Sequence, residues 1–321
     1  MAGGILVGDV GGTNVRFAVA NRHGSGIEID GFQKLAGDDF GAFDEALARY
    51  IDQSGQKVER ACFALAGPVQ QGEVLLTNRQ WRVSAARLQK RFDFADVRLI
   101  NDFTAMARSV PEHDAAAFEN VLPGTPNPDA PVIVAGPGTG FGVATLLRKR
   151  TGGWRVMNGE GGHMAFAPRT DLEFDVAKIL MDRFGYVSNE LVASGMGLEP
   201  VHEAFCQVYD RAVEDISPED MRKRADAGDD MFHQLILMRA CVVMGAVGDL
   251  VLSSGALGGV VLAGGVSERI VDYLRMPEAV NRFRERGPMS SYLADCPVDL
   301  MHDPEAPLVG AAAFYEQEFS Q

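Results

Sequence analysis

The chain has 321 residues, of which 46% are apolar and 23% are charged. This composition is ordinary for a folded protein, and the length predicts one large or two medium-sized domains. The 44 Asp and Glu residues outnumber the 30 Lys and Arg residues, so the net charge is −14. Such an acidic surface argues against a nucleic-acid partner, because phosphate backbones bind basic surfaces. It does not exclude a nucleotide, which a few backbone amides and one metal ion can hold.

The sequence favours a cytoplasmic protein that has no membrane partner. Residues 1–9 contain no basic segment and predict no signal peptide. The most apolar region, residues 240–266, contains Asp249 and seven glycines, and it predicts a buried helix and strand rather than a membrane span. The four cysteines lie far apart, which is typical of reduced thiols rather than of disulfides or a structural zinc site: Cys62, Cys206, Cys241 and Cys296.

Residues 1–109 predict a sheet that opens with three consecutive strands. Short apolar or alternating stretches predict these strands at 5–7, 15–20 and 27–33. Two more strands then alternate with three helices: strands at 61–66 and 97–100, and helices at 40–54, 85–92 (with Ser84 as N-cap) and 103–109. This order is typical of an α/β layer with a mixed sheet.

The second half of the chain repeats the opening pattern. Residues 110–131 contain five prolines and predict a linker or a long connection. Strands at 132–135 and 143–147 then flank a glycine turn, which indicates an internal duplication of two similar α/β halves. The other predicted elements are helices at 171–184, 198–209, 218–227 and 231–253, a strand at 259–263, a helix capped by Ser267, and a small-residue-rich helix at 308–319.

Two glycine-rich turns are candidates for phosphate binding. The first, Gly8-Asp9-Val10-Gly11-Gly12-Thr13, would present backbone N–H groups and a hydroxyl to a phosphate, with Asp9 within reach of a phosphate-bound Mg²⁺ through water. The alternative is a tight hairpin in which the glycines serve only the turn. The second, Gly138-Thr139-Gly140-Phe141-Gly142, has the same glycine-rich pattern between two strands. Two such hairpins together favour a polyphosphate ligand.

Neither turn matches a standard nucleotide-binding fingerprint. A Walker A loop ends in Gly-Lys-Ser/Thr, and a Rossmann loop leads from a strand into a helix, whereas these turns lead from strand to strand. A third glycine segment, Gly264-Gly265, follows a buried strand, where bare backbone could lie against adenine or ribose. Its alternative role is a plain turn from strand to helix.

Polar residues in three places are candidates for binding and chemistry. Asp102, in the pair Asn101-Asp102 at a strand end, could be a helix N-cap, a general base, or both. Glu160 and His163 lie among three glycines, a composition suited to presenting polar side chains to a ligand. Glu190 is by composition an ordinary first-turn helix glutamate. Together these groups suit a hydroxyl-rich ligand, and a glycosidase with the same carboxylates would not need two phosphate loops.

The motifs together resemble the bacterial glucokinases of the sugar kinase/actin/heat-shock ATPase superfamily. The matching stretches run in order along nearly the whole chain: residues 8–14, Thr77-Asn78 with Trp81, residues 100–105, 138–142, 159–163 with 166–168, 194–198, Ala263-Gly264-Gly265 and His302-Asp303.

The resemblance implies an ATP-dependent glucose kinase with two actin-like (RNase H-like) α/β domains and mixed sheets around an interdomain cleft. Residues 1–112 and 304–321 would form the small domain and residues 113–303 the large one. By position, Asp102 resembles the catalytic base. Asn101, Asp102, Glu160, His163 and Glu190 resemble the glucose-binding residues, while the two glycine turns and Gly264-Gly265 resemble the ATP-binding segments.

The resemblance also sets expectations about partners and cofactors. ATP, Mg²⁺ and glucose are expected, together with a homodimer by family analogy. Relatives of the ROK family (repressor, open reading frame, kinase) carry a zinc-binding cysteine cluster, which this chain does not have, so zinc is not expected. The alternatives are a kinase for another hexose, such as mannose or fructose, and a sugar sensor that has lost catalysis.

Overall fold

The structure is a computed structural model that describes residues 4–11, 14–24, 26–76 and 79–319. Its contacts divide the chain into two compact units. The first unit consists of Met1–Ala117, Leu146–Asn158 and Asp303–Gln321, and the second consists of Phe118–Thr145 and Gly159–His302.

The strands, in chain order, are β1 (Ile5–Val10), β2 (Asn14–His23), β3 (Gly26–Ala36), β4 (Arg60–Leu65), β5 (Glu73–Leu75), β6 (Arg82–Ser84), β7 (Asp96–Asn101), β8 (Phe118–Leu122), β9 (Val132–Pro137), β10 (Phe141–Arg148), β11 (Trp154–Gly159), β12 (Val260–Leu262) and β13 (Val298–Met301). The α-helices are α1 (Phe43–Ser54), α2 (Ala85–Phe92), α3 (Asp102–Ser109), α4 (Asp171–Phe184), α5 (Asn189–Ala193), α6 (Leu198–Val208), α7 (Pro218–Asp226), α8 (Asp230–Ser254), α9 (Gly265–Arg269), α10 (Val271–Leu274), α11 (Pro277–Arg284) and α12 (Ala306–Phe319).

The first unit is built on a five-stranded mixed sheet in the order β3-β2-β1-β4-β7. The predicted meander β1-β2-β3 is antiparallel, and β1, β4 and β7 are parallel neighbours. Val10 pairs with Leu65 and Leu65 pairs with Asn101. The carboxyl ends of the three parallel strands therefore lie at one edge of the sheet, where α/β proteins place their ligand sites.

Helix α12 packs closely against α3 in the first unit. A Cβ atom on Gly310 would lie 1.8 Å from the carbonyl oxygen of Ala105, so only a glycine lets the two helix backbones approach this far. Ala311 and Ala312 on the same helix are buried beside Ile5 and Ala64 of the sheet. The small residues thus hold α3, which begins with Asp102, in a fixed position.

We expect Gly310→Ala to lower the free energy of unfolding by about 3 kcal/mol, the upper end of the usual cost of overpacking. The added methyl group meets backbone rather than a movable side chain, so α12 or α3 must shift. Urea denaturation would measure the change. Gly26→Ala is the control, because its Cβ would lie 3.9 Å from the nearest atom, the carbonyl oxygen of His23. A loss no larger than that of the control would contradict the expectation.

The second unit contains a six-stranded sheet in the order β11-β10-β9-β12-β13-β8. β9, β12 and β13 are parallel, and β8 pairs antiparallel with β13. Apart from β8, this order repeats that of the first sheet, which supports the predicted internal duplication. Helix α8 is long and apolar enough to span a membrane, but 83% of its most apolar window is buried inside the protein, as in the core helix of a folded domain.

Several element predictions are confirmed and several are wrong. Helix α4 has the predicted bounds, Gly55 ends α1 in the left-handed conformation, and the four cysteines are buried and free. The segment 110–131 is not only a connection, because it contains the edge strand β8. The strands β5, β6, β11 and β13 were not predicted. Ser267 lies inside α9 rather than at its N-cap, which is Gly264.

Candidate functional site

Asp102 lies at the strand edge of the first unit, at the first residue of α3. The N-cap of this helix is Asn101, whose Oδ1 accepts hydrogen bonds from the backbone N–H groups of Phe103 (2.9 Å) and Thr104 (3.3 Å). The prediction that Asp102 could be the cap is therefore wrong. Its Oδ1 accepts from the N–H of Phe103 at 2.9 Å. The positive end of the helix favours a negative charge at this carboxylate.

Asn101 keeps part of its hydrogen-bonding capacity. Its amide nitrogen donates to the carbonyl oxygen of Gly67 at 3.3 Å, while its oxygen is committed to the cap. An NH₂ group has two hydrogens. One of them can still meet an external acceptor, such as a sugar oxygen.

The first glycine segment is largely strand rather than loop. Gly8, Asp9 and Val10 belong to β1, because the strand continues three residues beyond its predicted end. A Cβ on Gly8 would lie 2.8 Å from the Phe63 ring, so this glycine makes room for core packing. Gly11 donates its N–H to the carbonyl oxygen of Asn14 at 3.1 Å. The predicted phosphate-binding residues Gly12 and Thr13, like Thr77-Asn78 of the family motif, lie outside the described residues.

Asp9 is the predicted magnesium residue, and its surroundings allow that role. Its Oδ2 accepts a hydrogen bond from Arg16 Nη1 at 3.0 Å. Burial raises the pKa of Asp9, and the nearby Arg16 charge opposes that rise. No group of three or more His, Cys, Asp or Glu side chains suited to a metal occurs among the described residues. A single carboxylate nevertheless fits Mg²⁺, which keeps several waters and binds through one or two carboxylates and substrate phosphates.

The second glycine turn and the Gly264-Gly265 segment lie side by side in the second unit. Gly138 donates its N–H to the carbonyl oxygen of Gly140 at 2.8 Å and closes the turn between β9 and β10. Gly142 lies beyond the turn, at the second residue of β10. Gly264 has a φ of +88°, and a Cβ there would lie 2.8 Å from the carbonyl oxygen of Pro137. The backbones of the two glycine segments are therefore in contact with each other.

Glu190 is directed at the second glycine turn. Its Oε2 accepts a hydrogen bond from the N–H of Phe141 at 2.6 Å, and a Cβ on Gly140 would lie 2.7 Å from the same oxygen. Ser188 caps the helix that carries it by accepting from the N–H of Leu191 at 3.1 Å. Glu190 is thus more than an ordinary first-turn glutamate, since its position depends on a glycine 50 residues earlier in the chain.

His163 lies beside Glu190 in the second unit, and Glu160 lies three residues before His163 in the chain. Residues 161–163 form one turn of 3₁₀ helix, and a Cβ on Gly162 would lie 2.0 Å from the carbonyl oxygen of Phe141. The Nε2 of His163 lies 3.6 Å from Oε1 of Glu190, and 57% of the His163 side chain is exposed. Glu160 is also exposed. The structure therefore brings together the side chains of His163 and Glu190, and the backbone N–H of His163 donates to the carbonyl oxygen of Glu160 at 3.0 Å.

Two contacts near these residues were not predicted. Thr104 Oγ1 donates to Asn158 Oδ1 at 2.5 Å in the first unit. In the second unit, Gly195 and Met196 donate their N–H groups to the carbonyl oxygens of Gly138 (2.8 Å) and Thr139 (3.1 Å). Residues 194–198 are part of the family motif, and that motif was the available signal for the second contact.

Comparison with known proteins gives a consistent result. The family model described as Glucokinase matches residues 6–318. A glucokinase from Caulobacter sp. (strain K31) is 37% identical over 309 residues, covering 96% of this chain and 93% of the relative. The crystal structure of a glucokinase from an Antarctic psychrotroph has a TM-score of 0.86 and 33% identity, covering 98% of this chain and 99% of that one. A ROK family glucokinase from Streptomyces griseus, solved with glucose and AMPPNP, has a TM-score of 0.68 and 21% identity, covering 98% and 100%, and shows the fold alone.

Proposed function

The chain belongs to the glucokinase family, and we propose from its site how it carries out the reaction of that family. It catalyses the ATP-dependent phosphorylation of D-glucose to glucose 6-phosphate, the first step of glycolysis. The predicted fold class is confirmed as mixed α/β of the actin-like ATPase type. The predicted domain bounds at 112/113 and 303/304 remain a proposal.

Asp102 is, in our proposal, the general base of this reaction. Its carboxylate takes the proton of the glucose 6-hydroxyl as that oxygen forms a bond to the γ-phosphorus of ATP. The bond between the γ-phosphorus and the bridging oxygen breaks, and ADP leaves with the electron pair. The observation that carries this proposal is the fixed carboxylate at the positive end of α3, at the carboxyl edge of the parallel strands. General-base assistance contributes about 10²- to 10⁴-fold, and positioning and charge neutralisation supply the remainder.

Glucose is bound by Asn101, Asp102, Glu160, His163 and Glu190 in this proposal. Carboxylates accept hydrogen bonds from sugar hydroxyls, and His163 and the Asn101 amide can donate to them. The contact between Glu190 and the Phe141 N–H supports the proposal, because it holds one carboxylate oxygen in place and leaves the other toward His163.

The nucleotide is bound in our proposal by the glycine segments at 8–13, 138–142 and 264–265. The half-buried backbone at Gly138 and Gly265, where an added Cβ would meet no atom closer than 3.9 Å, suits close approach of phosphates and adenosine. Asp9 would hold Mg²⁺ through water. When bound, the ion would neutralise charge on the phosphates.

We expect Glu160→Gln to raise the KM for glucose far more than the KM for ATP. A hydrogen bond to a charged group contributes about 1.5–3 kcal/mol, so the glucose KM should rise about 10- to 100-fold. Steady-state kinetics with each substrate varied in turn would measure both constants. Glu278→Gln, at another exposed glutamate of the second unit, is the control and should change neither. Equal rises in both KM values would remove Glu160 from the sugar site.

A coupled assay for ADP formation with Mg²⁺ATP tests the function itself. Glucose, mannose, fructose and N-acetylglucosamine would be compared at equal concentrations. Selective turnover of glucose is the expected result. Turnover of another hexose would keep the chemistry and correct the substrate, whereas glucose binding without turnover would favour a sugar sensor.

We also propose a cytoplasmic homodimer. The buried, free cysteines support a reducing compartment, and the burial of the apolar helix α8 supports a protein that is not inserted in a membrane. The dimer rests on family resemblance. Light scattering coupled to gel filtration would test it, and a monomeric mass at assay concentrations would contradict it.

A further inference from the structure

A charged residue lies in the middle of the long apolar helix α8. Arg239 belongs to α8, is 5% exposed, and has Met238 and Ala240, both buried, as its chain neighbours. Burying a charge without compensation is costly, so such a residue needs a specific set of partners. A lone arginine inside an apolar helix was a signal visible in the sequence, and no prediction used it.

The partners of Arg239 are backbone carbonyl oxygens at the end of the short helix α5. Its Nη2 donates to Ala193 at 2.9 Å and to Ser194 at 2.8 Å, and its Nε donates to Val192 at 3.4 Å. Within the part of the chain that the structure describes, no carboxylate bonds this guanidinium. Burial lowers the pKa of Arg239 to about 10, so the side chain stays protonated at neutral pH. The negative end of α5 compensates the charge.

Helix α5 and the residues directly after it, which Arg239 holds, are connected both to Glu190 and to the glycine turn at 138–142. Glu190 lies on α5 and bonds to the N–H of Phe141. The residues directly after α5, Gly195 and Met196, bond to the glycine turn through the carbonyl oxygens of Gly138 and Thr139. A shift of the carbonyl end of α5 would therefore move a sugar-binding carboxylate and the glycine turn together.

We propose that Arg239 is a positioning residue that couples the sugar-binding Glu190 to the 138–142 glycine turn. This inference rests on the proposed function, because it takes Glu190 as a sugar-binding residue and the turn as part of the nucleotide site. Arg239 itself makes no contact with substrate in this proposal. It acts by fixing the end of α5 from the interior of the unit. Its loss should affect the binding of glucose and of ATP in parallel, unlike the loss of Glu160.

Arg239→Met and Arg239→Lys test the proposal by kinetics. Methionine retains apolar bulk and cannot donate a hydrogen bond, so we expect both KM values to rise and kcat/KM to fall about 10- to 100-fold, as small misplacements do. Lysine keeps the charge but lacks the forked geometry, so its effect should be smaller in the same direction. The control is Arg286→Met, another arginine with a buried side chain, which donates to the carbonyl oxygens of Gly245 and Phe283 and to the carboxylate of Asp249. It should lower the melting temperature without changing either KM.

Hydrogen exchange of the ligand-free protein gives a readout that does not need activity. In Arg239→Met, exchange should accelerate in peptides covering residues 138–142 and 189–197 and stay unchanged in the first unit. A uniform acceleration, or KM values equal to those of the wild type, would overturn the proposal and leave only a structural role. If Arg239→Met does not fold, wild-type KM values in Arg239→Lys would overturn it. Absence of glucose turnover in the wild-type protein would refute the proposed function, while the exchange result would still decide the role of Arg239 in holding the segment.

Discussion

Asp102→Asn is expected to lose most turnover while it keeps its affinity for glucose. Asparagine has nearly the same shape, and its Oδ1 can still accept the N–H of Phe103 that holds the aspartate at the start of α3. It cannot accept a proton from the 6-hydroxyl, so kcat should fall about 10²- to 10⁴-fold. Glucose binding, measured by calorimetry, should change by much less than kcat, because asparagine keeps one acceptor oxygen and its NH₂ group can donate to a sugar oxygen.

The matched control for this variant is Asp93→Asn in the same unit. Asp93 is exposed and has a φ of +56°, a conformation that asparagine also adopts readily. It should leave kcat unchanged. A near-normal kcat in Asp102→Asn would exclude Asp102 as the base, whereas a large loss of glucose affinity with unchanged kcat would assign it to binding alone.

Most residues of the candidate site could be found from the sequence, but most of their contacts could not. Glu160 and His163 are visible because three glycines surround them, and Asp102 because it follows an apolar strand. The bond between Glu190 and Phe141 depends on where the fold places α5 relative to the start of β10, which no local pattern encodes. The helix cap is Asn101 rather than Asp102, a difference of one position, and the sequence does not fix the start of a helix to within one residue.

The errors in the fold each have an identifiable physical cause. The unpredicted strands have only three to six residues, so they contain too few alternations for a period of two to stand out. β8 is flanked by proline-rich sequence, and as an edge strand it needs partners on one side only. β1 was predicted to end early because Gly8 and Asp9 are poor strand formers. Its pairing with strands on both sides outweighs that local preference.

Gly162→Ala is expected to weaken glucose binding by the loop that carries Glu160 and His163. The added Cβ would lie 2.0 Å from the carbonyl oxygen of Phe141 and 2.8 Å from its Cβ, whereas real Cβ contacts essentially never fall below 3.0 Å. Neither neighbour can rotate out of the way, so the loop or the strand must move by about 1 Å. A displacement of that size in a binding site can lower kcat/KM about 10²-fold.

The added methyl group should affect glucose binding because residue 162 is connected to two of the proposed sugar-binding residues, to His163 through the chain and to Glu190 through Phe141. Phe141 contacts both partners, because its carbonyl oxygen lies against Gly162 of the loop that carries His163 and its N–H bonds the carboxylate of Glu190. Pushing residue 162 away from Phe141 separates His163 from Glu190, whose side chains now lie 3.6 Å apart. The glucose KM should therefore rise along with the loss of kcat/KM, and calorimetry should show weaker glucose binding.

Gly159→Ala separates this steric effect from the general cost of stiffening the loop. A Cβ on Gly159 would have nothing within 4 Å, so the variant should keep the wild-type melting temperature, while Gly162→Ala should melt several degrees lower. If Gly162→Ala bound glucose as the wild type does, close packing of residues 161–163 on Phe141 would not be required for the sugar site. Glu190 would then be positioned by the N–H of Phe141 and by α5, whose carbonyl end is bonded by Arg239.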